Sequence, residues 1–355
     1  MADEVFPIID LSQDGNWPDL KGPEIVEACK KWGFMILTGH GIPKDIIDSM
    51  FEMHQAFCTL PEEQKLECVI DERQIGYDLK RSKIGMNECM VFGGVKGDIV
   101  QGDNIHPWWD AEKRAKVEEF KEKAHNLGLE LLKVFATSFG LDPEYFTSAH
   151  NMNQGPGSVL RMLHYPKLGE KPKEDFPRLY SHTDWGSLTF VWPRSGGLEV
   201  ETPSKRWIEV PLIPDSIVVN VGDAMSLWSG QALKSTLHKI SFDNLPIDQT
   251  RWSMAYFVNA NTLWNRSNKC EIDAKLEILK REEDGRLTLS SDQHTILTAG
   301  EYHQARLYMS QKEDAKNNWV GQSDLSILDT AHKLASVVER LGVANGSGLV
   351  NFSRS

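Results

Sequence analysis

The sequence predicts a mainly β protein with flanking helices, built around an antiparallel sandwich or barrel. Three observations carry this expectation. Between Ser158 and Asn259, short apolar runs of strand length alternate with turn residues and leave no room for helices between them. Helical periodicity is confined to the flanks, in the stripe Val117, Phe120, Ala124, Leu127, Leu131, Val134 and Phe135 and in a C-terminal one from Leu325 to Leu341. At 355 residues, 40% hydrophobic and 25% charged, the chain can also bury a sizeable core with elaborations.

Taken in order, Val5 to Leu11 is a short strand candidate, followed by a turn-rich stretch through Pro23. A helix is expected next, from Ile25, Val26, Cys29 and Trp32, with Gly33 as its stop. Phe34 to Thr38 reads as a strand, Pro43 opens a second helix through Ile46, Ile47, Met50 and Phe51, and Leu60-Pro61-Glu62-Glu63 starts another. Gly76 to Trp109 carries scattered glycines without a sustained period and is expected to be an ordered loop near a site, or a lid. A support helix follows from Ala111 to Phe139. The strands expected after it are Val159–Tyr165, Leu188–Trp192, Leu198–Thr202, Trp207–Val210, Ile217–Val221, Ala224–Trp228 and Trp252–Val258. Helices return at Ala299–Met309 and Leu325–Leu341, and the last residues, from Asn345, read as a tail.

Composition excludes several classes. A net charge of −12 argues against a nucleic-acid or anionic-membrane binder, which would need a basic face. The five cysteines are odd in number, irregularly spaced and contain no C-x-x-C pair, so a reducing compartment is expected. No leader-like N-terminus and no apolar run of membrane-spanning length is present, so a cytoplasmic protein with no membrane partner is expected, monomeric or homodimeric.

The most informative residues are His182 and Asp184, in Ser181-His182-Thr183-Asp184-Trp185-Gly186, and His238. Alternate residues of a strand point the same way, so His182 and Asp184 can reach one metal while Thr183 faces the opposite side. Two imidazoles and a carboxylate on one face of an octahedral ion leave cis positions open, the chemistry of non-haem Fe(II). Zinc could take the same ligands with a water in the fourth position. Asp223, after Val221-Gly222, is expected to cap a tight turn.

A carboxylate anchor is expected in Arg251-Trp252-Ser253-Met254-Ala255-Tyr256-Phe257, where alternation puts Arg251, Ser253, Ala255 and Phe257 on one face. A buried guanidinium suits a two-point carboxylate contact that the Ser253 hydroxyl can supplement; an edge-strand arginine reaching solvent is the alternative. Tyr165 is a second contact for that carboxylate or a core tyrosine, and Leu188, with Phe190, is expected in an apolar wall, as core packing or as shaping of the co-substrate site. For a substrate, Arg161, Trp185, Phe92 and Met86 are candidates, with ion pairing for Arg161 and loop anchoring for Phe92 and Met86 as alternatives.

Together, His182-Thr183-Asp184-x-Gly186-x-Leu188-Thr189, Gly196-Gly197-Leu198-x-Val200, Val219-Asn220-x-Gly222-Asp223, Lys234-Ser235-x-x-His238 and Arg251-x-Ser253-x-Ala255-Tyr256-Phe257 resemble the iron and 2-oxoglutarate-dependent dioxygenases of the isopenicillin N synthase-like group. Pro7-Ile8-Ile9-Asp10-Leu11, Trp32-Gly33-Phe34 and Gly39-His40-Gly41-Ile42-Pro43 are similar to that group's N-terminal region. The resemblance implies a distorted double-stranded β-helix, or jelly roll, with N- and C-terminal helical elements packed on it. It divides the chain into an N-terminal mixed region (1–150), a core (151–265), a completing C-terminal part (266–344) and a tail (345–355). It implies Fe(II) on His182, Asp184 and His238, and 2-oxoglutarate held by Arg251, Ser253 and Tyr165. O2 would be the oxidant and ascorbate a reductant. The implied activity is oxidation of a C–H bond of a small molecule, by hydroxylation, desaturation or ring rearrangement, with release of succinate and CO2. An iron oxidase of the same fold that does not use 2-oxoglutarate, or a zinc-binding non-catalytic jelly roll, are the other readings. Many plant members of the group carry asparagine at the position of Leu163, and the residue after the aspartate, here Trp185, varies.

Overall fold

The structure is a computed structural model that describes residues 4–12, 15–71, 73–81, 86–102, 104–153, 157–169, 178–245, 247–262, 273–289, 296–303 and 305–306. The helix expected at Leu325–Leu341 and the tail lie outside the described residues. In chain order the elements are β1 (Ile8–Asp10), α1 (Trp17–Lys31), β2 (Phe34–Thr38), α2 (Lys44–Cys58), α3 (Glu62–Lys65), β3 (Ile75–Arg81), β4 (Met86–Phe92), α4 (Asp98–Gln101), α5 (Ala111–Ser138) and α6 (Glu144–Thr147). Then come β5 (Val159–Tyr165), β6 (Leu179–His182), β7 (Leu188–Pro193), β8 (Leu198–Glu201), β9 (Trp207–Glu209), β10 (Ile217–Val221), α7 (Asp223–Trp228), β11 (His238–Ile240) and β12 (Arg251–Val258), followed by the short strands β13 (Lys275–Glu277), β14 (Leu279–Arg281), β15 (Leu287–Leu289) and β16 (Ile296–Thr298).

Two sheets form the body. The larger runs β1-β2-β10-β7-β12-β5-β4-β3 and the smaller β6-β11-β8-β9. All neighbours are antiparallel except β1 and β2. One face of the large sheet presents Met90, Phe92, Leu160, Met162, Leu188, Phe190, Trp192, Met254 and Tyr256 to the apolar stripes of α1, α2 and α5, which forms the main core. Phe120 of α5, for instance, meets Trp192 edge-on with ring centroids 4.9 Å apart. The opposite face meets the small sheet through Phe34, Ile36, Val218, Leu198 and Val200 and, further along, Tyr165, Leu163, Ile240 and Leu179. The antiparallel two-sheet body with flanking helices is the architecture expected of the chain. Among the described residues no helix is long and apolar enough to cross a membrane.

Several elements differ from expectation. Helix α1 begins at Trp17, ahead of Pro23, because Pro18 sits in the first turn where its missing N–H costs nothing, and Pro23 is accommodated within the helix. Its stop is the expected one: Gly33 has φ of 67°, and a Cβ there would collide with the carbonyl of Lys234. The region from Gly76 is no loop at first, since β3 and β4 form a hairpin that extends the large sheet alongside β5. Ala224–Trp228, expected as a strand, is helical; every residue of α7 is buried, and an apolar run hidden on all sides carries no period. Four strands from residues before 150 lie in the same sheet as four from the core, so the expected boundary crosses a continuous sheet.

Candidate metal centre

β6 and β11 pair antiparallel with His182 directly opposite His238. The register brings the two rings to 4.2 Å between centroids. His182 is the last residue of β6 and Asp184 lies just past the strand end, in the link to β7. Asp184 Oδ1 is 3.8 Å from His182 Nε2 and 3.7 Å from His238 Nε2, and ligand atoms of all three residues lie within 4.8 Å of one another. Thr183 turns the other way and donates to Asp223 Oδ2 at 2.8 Å.

Hydrogen bonds on the far side of each ligand orient it. His182 Nδ1 meets the Tyr180 carbonyl at 2.8 Å and His238 Nδ1 the Thr236 carbonyl at 3.2 Å, so in each ring the proton belongs on Nδ1 and the Nε2 lone pair is directed at the shared point. Asn220 of β10 donates to Asp184 Oδ2 at 2.8 Å, which leaves Oδ1 for a metal. Phe34 packs edge-on to His238 at 5.4 Å. Burial and the neighbouring His182 push His238 down to about 4, so it is a neutral imidazole at neutral pH. Burial opposes ionisation of Asp184, but the two histidines, Thr189 and Asn220 outweigh it and hold the carboxyl below its usual range. Two imidazoles and one carboxylate with lone pairs directed at one point fit a divalent first-row ion and leave a face of it open.

Arg251 is 2% exposed, and no carboxylate is paired with it among the described residues. Its Nη1 donates to Ser253 Oγ at 2.8 Å and its Nε to the Gly196 carbonyl at 3.2 Å. Register places Arg251 opposite Tyr165 and Ser253 opposite Leu163, and the guanidinium carbon is 5.4 Å from the Tyr165 ring centre. A second buried cation joins them. Arg178 bonds to the Pro166 carbonyl and lies 5.9 Å from the same tyrosine ring and 5.3 Å from Phe242, while among the described residues its Nε and Nη1 have no hydrogen-bond partner. Buried guanidinium groups with no counter-charge nearby call for an anion.

The remaining expected site residues are dispersed. Leu188 faces the main core with Phe190 and Trp192, away from the ligands, because both faces of β7 are covered and its apolar face belongs to α5; it does not wall the site. Phe92 is likewise in the main core, with Trp109 5.0 Å away, and does not line a substrate cavity. Met86 opens β4, but its side chain lies outside the described residues. Arg161 donates to Gln74 Oε1 at 3.0 Å and lies 3.6 Å from Asp78, so β3 and the residue before it supply its partners. Trp185 is half-buried, with the Arg306 guanidinium 5.6 Å from its ring. Asp223 caps no turn: it is the first residue of α7, fully buried and ion-paired with Arg306 at 2.7 Å. Asn220, Arg178 and Arg306 were not expected in these roles. Asn220 alone had a local signal, a single amide in the otherwise apolar strand Ile217–Val221.

Known proteins extend this picture. Residues 156–260 match the family model of the 2OG-Fe(II) oxygenase superfamily, and residues 6–123 that of the non-haem dioxygenase in morphine synthesis N-terminal region. A proline hydroxylase of Petromyces alliaceus, buaE, is 30% identical over 307 residues, which cover 79% of this chain and 90% of that protein. The 2-oxoglutarate-dependent dioxygenase tropC of Talaromyces stipitatus is 29% identical, with 74% and 88% covered. Among solved structures, a full-length Neurospora crassa protein in complex with alpha-KG superposes with a TM-score of 0.68 at 26% identity, over 87% of this chain and 97% of that one. The chain therefore belongs to the 2OG-Fe(II) oxygenase superfamily, with the double-stranded β-helix of that group.

Proposed function

We propose that His182, Asp184 and His238 hold Fe(II), that Arg251, Ser253 and Tyr165 hold the distal carboxylate of 2-oxoglutarate, and that the chain uses them to oxidise a C–H bond of a small molecule. One observation carries the assignment: an open three-ligand face and a buried guanidinium, without a carboxylate partner among the described residues, lie between the same two sheets. When bound, iron with 2-oxoglutarate and O2 supplies the oxidising power, and succinate and CO2 are released.

The residues supply position and protonation. Tyr180 and Thr236 carbonyls fix the imidazole tautomers and Asn220 fixes the carboxylate rotamer, so the three donor atoms converge before any ion arrives. Ser253 pins one nitrogen of Arg251, leaving the rest of the fork for two-point contact with a carboxylate. Arg178 strengthens the positive potential at that end. Trp185, adjacent in sequence to the ligand Asp184, supports a substrate-side role, as does Arg161 on the strand that also carries Tyr165. The four described cysteines are all free thiols, which supports a reducing, cytoplasmic setting, with the chain acting as a monomer or homodimer.

Anaerobic addition of Fe(II) and 2-oxoglutarate together should produce a weak visible charge-transfer band that neither gives alone. Iron binding without that band would replace this reading with an oxidase that does not use 2-oxoglutarate.

A further inference from the structure

The segment carrying Asp184 is seated on the start of α7, and the seat reaches the C-terminal part of the chain. Thr183 Oγ1 donates to Asp223 Oδ2 at 2.8 Å, and the Asp223 N–H donates to the Asp184 carbonyl at 2.8 Å. The N–H of Ala224 lies 3.2 Å from the carbonyls of both Trp185 and Gly186. The fit is close enough that a Cβ on Gly222 would collide with the Gly186 carbonyl. Asp223 thus grips the ligand segment by its backbone and by its side chain. Its own charge is met by Arg306, at 2.7 Å, from the helical residues 305–306. Both partners are almost fully enclosed, at 0% and 4% exposure. The same guanidinium lies 5.6 Å from the Trp185 ring, whose edge meets His303 at 5.5 Å. Arg306 therefore touches Asp223, which holds the residue before the ligand aspartate, and Trp185, the residue after it.

A carboxylate this deeply enclosed is tolerated only with its counter-charge in place. Without Arg306, Asp223 would have to draw in another cation or water, and the hydroxyl of Thr183 and the carbonyl of Asp184 would move with it. We propose that Arg306 is a positioning residue for the metal centre: by neutralising Asp223 and backing Trp185 it holds residues 183–187 where Asp184 meets the iron, which ties iron affinity to the docking of the C-terminal helical segment. The inference rests on the iron-site reading above.

The test is an anaerobic Fe(II) titration at saturating 2-oxoglutarate, following the charge-transfer band, with the melting temperature of each metal-free protein taken in parallel. Thr183→Val is nearly isosteric, keeps the Asp223–Arg306 pair and removes only the hydroxyl link. It should weaken Fe(II) binding roughly tenfold at a nearly unchanged melting temperature. Arg306→Met should weaken it at least as much. The double variant D223N/R306M removes both charges yet keeps an amide oxygen for Thr183, and should recover most of the affinity. A T183V protein that binds Fe(II) within about twofold of the wild type overturns the inference, whether or not R306M folds. So does a folded double variant that binds no better than a folded R306M. A wild-type chain that binds no Fe(II) is a distinct result, and removes the iron reading itself.

Discussion

Among the described residues, two groups bring possible metal ligands within 4.8 Å of one another: His182, Asp184 and His238 between the sheets, and Cys58, Glu88 and His164 on the helix side of the large sheet. Each has a buried carboxylate and an imidazole, but their charges are settled differently. In the second group, Glu88 accepts from Lys65, Tyr77 and His164, so both oxygens are filled and the ammonium of Lys65 supplies the cation. His164 is stacked on Trp252 with centroids 3.8 Å apart, and burial pushes the Cys58 thiol far above its usual range, away from the thiolate a metal would need. In the first group, Asn220 donates to Oδ2 of Asp184, and both ring Nε2 atoms face the other oxygen, Oδ1. Ligand spacing is common to both. What distinguishes a metal centre is a negative charge the protein has left unbalanced.

The contrast can be broken most severely at the ligands. His182→Ala or Asp184→Ala should abolish the charge-transfer band and substrate-stimulated succinate formation; an intact band in either would remove the distinction. Glu88→Gln should leave iron stoichiometry at one per chain but unfold more easily, by about 3 kcal/mol in urea titration, because Lys65 is left enclosed without its partner. A variant with unchanged stability and lost iron would invert the two roles.

Acid should expose the second group in the same way. Burial raises the Glu88 carboxyl, but His164, Lys65 and Tyr77 more than offset it and hold the group at about 2, against 4.5 when free. Burial also lowers His54, packed edge-on against Trp252, to about 3 from 6.5. Both bind protons more readily in the unfolded chain, so stability should fall below pH 6.5 through His54 and further between 4.5 and about 2 through Glu88. In E88Q the lower limb should flatten while the upper one persists. Smaller still is Arg251→Lys, expected to raise the 2-oxoglutarate concentration for half the band by roughly tenfold, since a point charge replaces a fork. Cys58→Ala should cost no more than about 1 kcal/mol and leave the band alone.

The residues of the candidate site could be picked out in the sequence because their signal is local: His182 and Asp184 are two residues apart, and Arg251 and Ser253 share a strand face. Elements read from periodicity came out well where one side faces the core, as in α5. They failed where burial is complete, as in α7, or where the partner is distant, as for the β3–β4 hairpin, which β5 completes. For Leu188 the sequence could not separate core packing from shaping of the co-substrate site, and it packs in the core, since alternation tells which residues share a face but not which of two buried faces holds the site. Arg178 and Arg306 stayed hidden because their roles depend on which distant groups the fold brings beside them, which only the folded chain reveals.

The cross-strand pairing of His182 with His238 has one more consequence. A slip of β11 by a single residue against β6 would turn His238 to the opposite face and leave the ion with two ligands. Bound iron would then act as a gauge of strand register, since it rewards only the correctly threaded chain, by about 1.4 kcal/mol for each tenfold excess over its dissociation constant.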